Sequence, residues 1–206
     1  MTIEVRAATT GDAQAMANLH SDRISEGFLS SLGSRFLQYL YRRVILSSDS
    51  FAAVACDEHD VTVGFIATSL AIGRLYRRFI LYDGLRAGFF AAPKLLRSWR
   101  RVLETLRYPT HTGDLPDPEV LAVAVAESVA GRGVGRALLA SAQRELEYRR
   151  VDAVKVVAGT HNIAAVALYR AAGFVEMQRI EVHEGVMSSV LVWRAPHLHV
   201  VDERGA

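Results

Sequence analysis

Residues 119–139 constrain the fold of this chain more than any other stretch of its sequence. An apolar run over residues 120–126 precedes three glycines within residues 131–135, and a helical apolar pattern follows at once. Glycines let the backbone approach a ligand closely, and the first N–H groups of a helix have no partner within the helix. A strand, a glycine loop and a helix in this order therefore predict an anion-binding site.

Two common nucleotide-binding motifs do not fit this loop. A P-loop needs four residues between two glycines and then Lys-Ser or Lys-Thr, and the loop has neither. A Rossmann fingerprint needs a third glycine where Arg136 stands, and it belongs near the start of a βαβ unit, not after a hairpin such as the one predicted at residues 51–70. Arg132 and Arg136 instead add positive charge beside the loop, which favours a diphosphate or a similar anion.

The stretch AVAESVAGRGVGRALL, together with residues 162–174, resembles the GNAT superfamily of acyl-CoA N-acyltransferases. In that family a loop of pattern [Arg/Gln]-x-x-G-x-[Gly/Ala] holds the coenzyme A pyrophosphate, and a later N-x-x-A-x-x-L-Y-x-x-x-G-F segment closes the site. The loop pattern matches at Gly133 and Gly135 but has Ala130 where the family has Arg or Gln, and Arg132 is the residue that would compensate. The later pattern matches at Asn162, Ala165, Leu168, Tyr169, Gly173 and Phe174.

The resemblance implies an α+β fold, with a central mixed and mostly antiparallel sheet flanked by helices. It implies a single GNAT domain over residues 1–195, with a basic insertion at residues 72–118 and a tail at residues 196–206. The implied activity moves an acetyl or other short acyl group from acetyl-CoA or another acyl-CoA to a primary amine, by direct attack on the thioester and without a metal. The implied cofactor-binding residues are Val123, Val125, Arg132, Gly133, Val134, Gly135, Arg136 and Asn162.

Two residues are predicted to be catalytic. Glu119, at the start of the strand before the loop, resembles the general base of histone-type family members, which must neutralise an alkylammonium of pKa about 10.4. Tyr169 resembles the family's general acid, because a phenol of pKa about 10 suits donation to a thiolate. His111 and His161 are alternative bases. Structural roles also remain open: Glu119 as a solvated residue at the strand edge and Tyr169 as a core aromatic.

The amine acceptor cannot be read from these motifs. Peptides, antibiotics, polyamines and amino sugars are all acceptors on this fold, and an amino sugar is a weak expectation from resemblance to bacterial members with a similar insertion. The rival function is a GNAT-fold module that binds coenzyme A or an anionic partner without turnover. The link at residues 28–32 is either a wall of the acceptor pocket or a contact between two helices. We expect no nucleic-acid partner.

The insertion is strongly basic. Residues 74–107 contain nine basic and two acidic residues, a net charge of +7 in a chain whose total is +2. Pro93 is placed as the first-turn proline of an amphipathic helix that runs to Arg107 and includes Trp99. Three roles remain open for the insertion: a lid on the acceptor site, a homodimer contact, or a basic surface for a membrane or an anionic polymer.

A single cysteine, Cys56, excludes an internal disulfide and favours a reducing compartment. The first residues, 2–6, alternate as a strand does and do not resemble a signal peptide. Together these features predict a cytoplasmic protein.

Overall fold

The computed structural model describes residues 2–24, 32–97, 115–183 and 186–196, and describes only the backbone of residues 85–97, 182, 183 and 186. The elements in chain order are β1 (Glu4–Ala7), α1 (Ala13–Arg23), α2 (Ser34–Leu46), β2 (Ser50–Cys56), β3 (Thr62–Ser69), α3 (Ile72–Arg97), β4 (Glu119–Val125), α4 (Val134–Tyr148), β5 (Ala153–Gly159), α5 (Ile163–Ala171), β6 (Val175–His183) and β7 (Val186–Arg194).

The seven strands form one sheet in the order β1-β2-β3-β4-β5-β7-β6. Strands β4 and β5 pair in parallel, and the other neighbouring strands pair antiparallel. This is the mixed, mostly antiparallel sheet expected of an α+β GNAT fold, so the predicted fold class is confirmed.

Helices cover both faces of the sheet and create two apolar layers. Helices α1, α2 and the first turns of α3 pack on one face, where Met16, Leu37 and Phe65 are fully buried. Helices α4 and α5 pack on the other face around Leu138 and Leu191. Each such buried side chain contributes about 1.5–3 kcal/mol to folding, so both layers are substantial. We call these the α1–α3 layer and the α4–α5 layer.

The insertion differs from its prediction. Helix α3 begins at Ile72 and runs through Pro93, which therefore lies inside a helix and does not begin one. The early start is explained by packing, because Leu75 and Phe79 are buried against the α1–α3 layer, and Phe79 meets Phe36 of α2 edge to face at 5.2 Å. A buried ion pair of 2.7 Å between Arg43 of α2 and Asp83 adds a further tie.

The remainder of the predicted amphipathic helix, including Trp99, lies outside the described residues. The lid, the homodimer contact and the membrane or polymer surface therefore stay predictions. In the part of the chain that the structure describes, no helix is long and apolar enough to cross a membrane.

Asp12 directly precedes α1, but its carboxylate accepts no hydrogen bond from the first turn of that helix and contacts β1 instead. Its carboxylate receives two hydrogen bonds from the Arg6 guanidinium, at 2.9 and 3.0 Å, and two from Thr9, at 2.7 and 2.8 Å. The Arg6 guanidinium holds the pKa of Asp12 at about 2, below its usual 3.8. These contacts fix the start of β1 against the entry to α1.

We expect Asp12→Asn to lower the free energy of unfolding by about 1–2 kcal/mol at pH 7, because the charge-assisted bonds to Arg6 are lost. The pKa of Asp12 is lower in the folded protein than in the unfolded chain, so its ionised carboxylate stabilises the fold when the pH is above the pKa of the unfolded chain. In the parent protein this contribution should therefore disappear as the pH falls from about 4 to about 2. Urea unfolding across pH measures it, with Asp22→Asn on the exposed side of α1 as the control. Equal stability of Asp12→Asn and the parent at pH 7 would show that this contact is not stabilising.

Candidate active site

A gap between β4 and β5 is the central feature of the site. The two strands pair at Glu119 and Lys155, where the Lys155 N–H donates to the Pro118 carbonyl at 2.9 Å. Beyond that point the described residues of β4 continue to pair with β3 through residue 125, but they no longer pair with β5. The strands therefore diverge toward their carboxyl ends. The edge of β4 that faces β5 is left without strand partners along the gap.

A β-bulge at Leu121 changes the direction of β4 inside this gap. Residue 122 pairs with Ala67 of β3 and residue 120 with Thr68, so Leu121 has no partner opposite it. A bulge leaves the extra residue outside the ladder and turns the strand. As a result Leu121 packs in the α1–α3 layer, whereas Val123 and Val125 pack in the α4–α5 layer. No sequence signal marks Leu121, because a bulge is a backbone irregularity within an ordinary apolar run.

The glycine loop lies at the open end of the gap. Gly131 and Gly133 have positive φ angles of 75° and 81°, which side chains rarely adopt, and a Cβ at either would meet nothing within 4 Å. Gly133 caps α4, whose first helical bond runs from the Ala137 N–H to the Gly133 carbonyl at 3.0 Å. The N–H groups of residues 134–136 precede that bond and have no acceptor within the helix. The loop therefore presents N–H donors beside open space.

The remaining loop residues divide by their environment. Arg132 and Arg136 are exposed, so both guanidiniums are accessible from solvent. Val134 is buried, which leaves its N–H as the group that a ligand could reach. A glycine at position 135 is favoured by packing, because a Cβ there would lie 3.0 Å from Leu168 Cδ2 of α5.

Asn162 and His161 lie where β5 passes into α5. The Asn162 Oδ1 accepts a hydrogen bond from the Ala165 N–H at 3.1 Å and so caps α5, which accounts for the N-x-x-A spacing. The exposed His161 ring lies over the end of β5, close enough that a Cβ at Gly159 would be 2.6 Å from its Cε1. His111 lies outside the described residues.

Tyr169 is 6% exposed and belongs to the α4–α5 layer. Its ring meets Phe174 edge to face at 5.5 Å. Burial raises the pKa of its phenol well above the usual value, so the hydroxyl stays protonated at any physiological pH. The side chain is thus part of the core and carries a protonated hydroxyl.

Glu119 lies at the closed end of the gap, on the opposite side of the sheet from Tyr169. It is half-buried, 3.8 Å from Lys155 Nζ, and acts electrostatically on Tyr76 of the α1–α3 layer. Burial raises the pKa of Glu119, and the Lys155 ammonium opposes that rise. Burial and the Glu119 charge raise the pKa of Tyr76 to about 12. The two predicted catalytic side chains therefore lie on different sides of the sheet.

Comparison with known families agrees with this architecture. The family model described as "Acetyltransferase (GNAT) domain" matches residues 103–176, which include β4, the glycine loop, α4, β5 and α5. About a third of the chain is thus similar to a GNAT acetyltransferase domain. No curated protein sequence matches the chain significantly.

Solved structures share the fold of this chain at low sequence identity. A GCN5-related N-acetyltransferase from Kribbella flavida is 18% identical with a TM-score of 0.62, covering 93% of this chain and 97% of its own. NAA60 of Arabidopsis thaliana in complex with acetyl-CoA is 18% identical with a TM-score of 0.60, covering 94% and 98%. The ribosomal-protein-S18-alanine N-acetyltransferase from Escherichia coli is 14% identical with a TM-score of 0.60, covering 94% of both chains.

Proposed function

We propose that this protein is an N-acyltransferase that moves an acetyl or other short acyl group from acyl-CoA to a primary amine. One observation carries the proposal. The gap between β4 and β5 has the glycine loop at its open end and a half-buried carboxylate, Glu119, at its closed end. An extended thioester with an anionic tail fits a site that offers anion donors at one end and a base at the other.

The glycine loop is suited to hold the diphosphate of coenzyme A. The N–H groups of residues 134–136 and the charges of Arg132 and Arg136 supply donors and positive potential. The open space beside Gly131 and Gly133 leaves room for phosphate oxygens next to the backbone. NAA60, which shares the fold, binds acetyl-CoA, and this supports acetyl-CoA as the co-substrate.

The gap is suited to hold the pantetheine arm. The unpaired edge of β4 offers backbone donors and acceptors, with which an extended amide chain pairs as an added strand does. Val123 and Val125 flank this edge, and Asn162 lies at the end of α5 that faces the same opening. We therefore assign all three to cofactor contact.

The chemistry follows from the two ends of the gap. Glu119 accepts a proton from the amine, whose nitrogen then forms a bond to the thioester carbonyl carbon. The Leu121 N–H, which the bulge removes from the β3 ladder, is placed to stabilise the negative charge on the carbonyl oxygen. The carbon–sulfur bond breaks, and the Tyr169 hydroxyl gives its proton to the departing thiolate. The amide and the free thiol are the products.

The acceptor is a primary amine, and its wider identity stays open. Proteins with this fold include a spermidine N-acetyltransferase from Vibrio cholerae and a phosphinothricin N-acetyltransferase, so the fold does not select one acceptor class. An amino sugar remains a hypothesis.

Release of free thiol from acetyl-CoA tests the proposal. Peptides, polyamines, amino sugars and amino acids should be supplied in turn, and the N-acetylated product should be identified by mass spectrometry. Thiol release that depends on an amine supports the enzyme. If the protein binds acetyl-CoA but no class of amine causes release of free thiol, the result would favour the rival function, a coenzyme A-binding module without turnover.

We expect Tyr169→Phe to lower kcat about 10²-fold or more while acetyl-CoA affinity changes little, because only the proton-donating hydroxyl is lost. Steady-state kinetics and calorimetry measure the two effects. Tyr148→Phe, at an exposed tyrosine of α4, is the matched control. An unchanged kcat in a folded Tyr169→Phe protein would leave Tyr169 with only its packing role.

A further inference from the structure

Lys155 makes an unusual set of contacts at the closed end of the gap. Its backbone N–H donates to the Pro118 carbonyl at 2.9 Å. Its side-chain Nζ lies 2.5 Å from the Pro116 carbonyl oxygen, 3.4 Å from that of Asp117 and 3.8 Å from Glu119 Oε2. One residue of β5 thus contacts each of the four residues that lead into β4.

The ammonium group donates hydrogen bonds to the Pro116 and Asp117 carbonyls, and it lies at ion-pair distance from Glu119. A lysine carries three N–H donors and no acceptor, and three oxygens surround Nζ here. The side chain is 18% exposed, so solvent competes little for these donors. The ammonium is thus held by oxygens of the chain itself. The geometry favours a role in holding the segment before β4 over a role in substrate binding.

We propose that Lys155 is a positioning residue, which fixes residues 116–119 across the closed end of the gap and holds the Glu119 carboxylate there as an anion. This inference rests on the proposed role of Glu119 as general base. The single parallel pairing of β4 with β5 makes Lys155 the point from which the two strands diverge. The same residue therefore sets where the gap closes and where the base lies.

The electrostatic surroundings of Glu119 agree with this role. Burial raises the pKa of the carboxyl group, and Lys155 from β5 is the charged group that opposes this effect. Tyr76 from α3 is the other titratable group that interacts with it, and its own raised pKa keeps it neutral. Asp117 lies two residues before Glu119 and is acidic, so it adds no positive charge. Ser69, which pairs with Glu119 from β3, carries no charge. Lys155 is therefore the positive charge that favours the anionic base, among the described residues.

The test replaces Lys155 with Met, which keeps the length of the alkyl chain and removes the charge. The acid limb of the kcat/KM pH profile should move to higher pH by about one unit, because the burial of Glu119 is no longer opposed. At a pH on that limb, kcat/KM should fall about tenfold, while acetyl-CoA affinity should stay within about twofold. Lys155→Arg retains the charge and should restore the position of the limb. Lys155→Gln, which is neutral but keeps a donor for the Pro116 carbonyl, should shift the limb as Met does if the Met variant folds poorly.

A direct measurement separates this inference from the proposed function. Carbon NMR of the labelled Glu119 carboxyl, assigned by its loss in Glu119→Gln, reports the titration midpoint without any need for turnover. A higher midpoint in the neutral variants together with the shifted acid limb supports the positioning role. An unchanged midpoint in Lys155→Met and Lys155→Gln overturns it. If the midpoint is higher in the neutral variants than in the parent but the parent acylates no amine, the proposed function is contradicted and the control of this carboxyl by Lys155 still stands.

Discussion

Glu119→Gln is expected to lower kcat/KM about 10²- to 10⁴-fold, because the amide keeps the shape of the side chain but cannot accept the amine proton. The structure offers a matched control. Glu127, just after β4, is 88% exposed and pairs with Arg23 at 3.1 Å. Glu127→Gln removes the same charge near the same strand and should leave kcat/KM nearly unchanged.

The pH dependence gives this prediction a second readout. In the parent protein kcat/KM should fall as the pH drops through the pKa of Glu119, which burial raises above its ordinary value of 4.5. The Glu119→Gln protein should lack this limb and depend only on the free amine. The ratio of the parent kcat/KM to the variant kcat/KM should then fall as the pH approaches about 10, where the amine loses its proton to water without a general base.

A wild-type pH profile in Glu119→Gln would remove Glu119 as the base. His161, which lies over the end of β5 beside Asn162, would then be tested next by His161→Gln. His111→Gln would follow on the same assay.

Gly133→Val is expected to weaken acetyl-CoA binding at least tenfold. The position has a φ of 81° and nothing within 4 Å of its Cβ, so the valine side chain would project into the open space where we place the diphosphate. Gly135→Val is a less clean test, because its side chain would collide with Leu168 of α5 and disturb the packing of two helices. Calorimetry with acetyl-CoA measures the effect at Gly133.

Gly173→Val supplies the control for backbone strain. Gly173 also has a positive φ, 86°, and an exposed position, but it follows α5 and lies outside the glycine loop. Both substitutions force a β-branched residue into the left-handed region, at a cost of about 1–2 kcal/mol in stability. Only Gly133→Val should weaken binding. Equal affinity of the two folded variants would remove the diphosphate from this loop.

Much of the fold could be predicted because local signals agreed with the tertiary structure. The glycine loop marked the start of a helix, which begins at Val134, and the apolar run over residues 120–126 marked strand β4, Glu119–Val125. Alternation and apolar runs marked the strands to within a residue or two. The order of these elements then left few ways to build one mixed sheet.

The prediction failed where tertiary packing overrode a local signal. A proline in a helix interior removes a hydrogen bond and usually ends or kinks the helix, so Pro93 looked like a helix start. Helix α3 begins earlier because Leu75, Phe79 and Asp83 meet α2 and the sheet below, and those partners are distant in sequence. A local pattern could not show them.

Only part of the candidate site could be predicted from the sequence, again because the site depends on contacts between residues distant in sequence. Glu119 and Tyr169 could be selected by type and position, but their separation into two layers depends on the bulge at Leu121. The only sequence feature that marks Lys155 is that it is the single charged residue within the apolar strand β5. Its significance appears only when the chain brings residues 116–119 against it.

A crystal structure of the protein with acetyl-CoA bound tests the central claim most directly. We predict that the diphosphate accepts hydrogen bonds from the N–H groups of residues 134–136. We also predict that the pantetheine arm pairs with the free edge of β4 and that the thioester lies in the gap between Glu119 and Tyr169. A cofactor bound elsewhere, or a thioester out of reach of both side chains, would contradict the account.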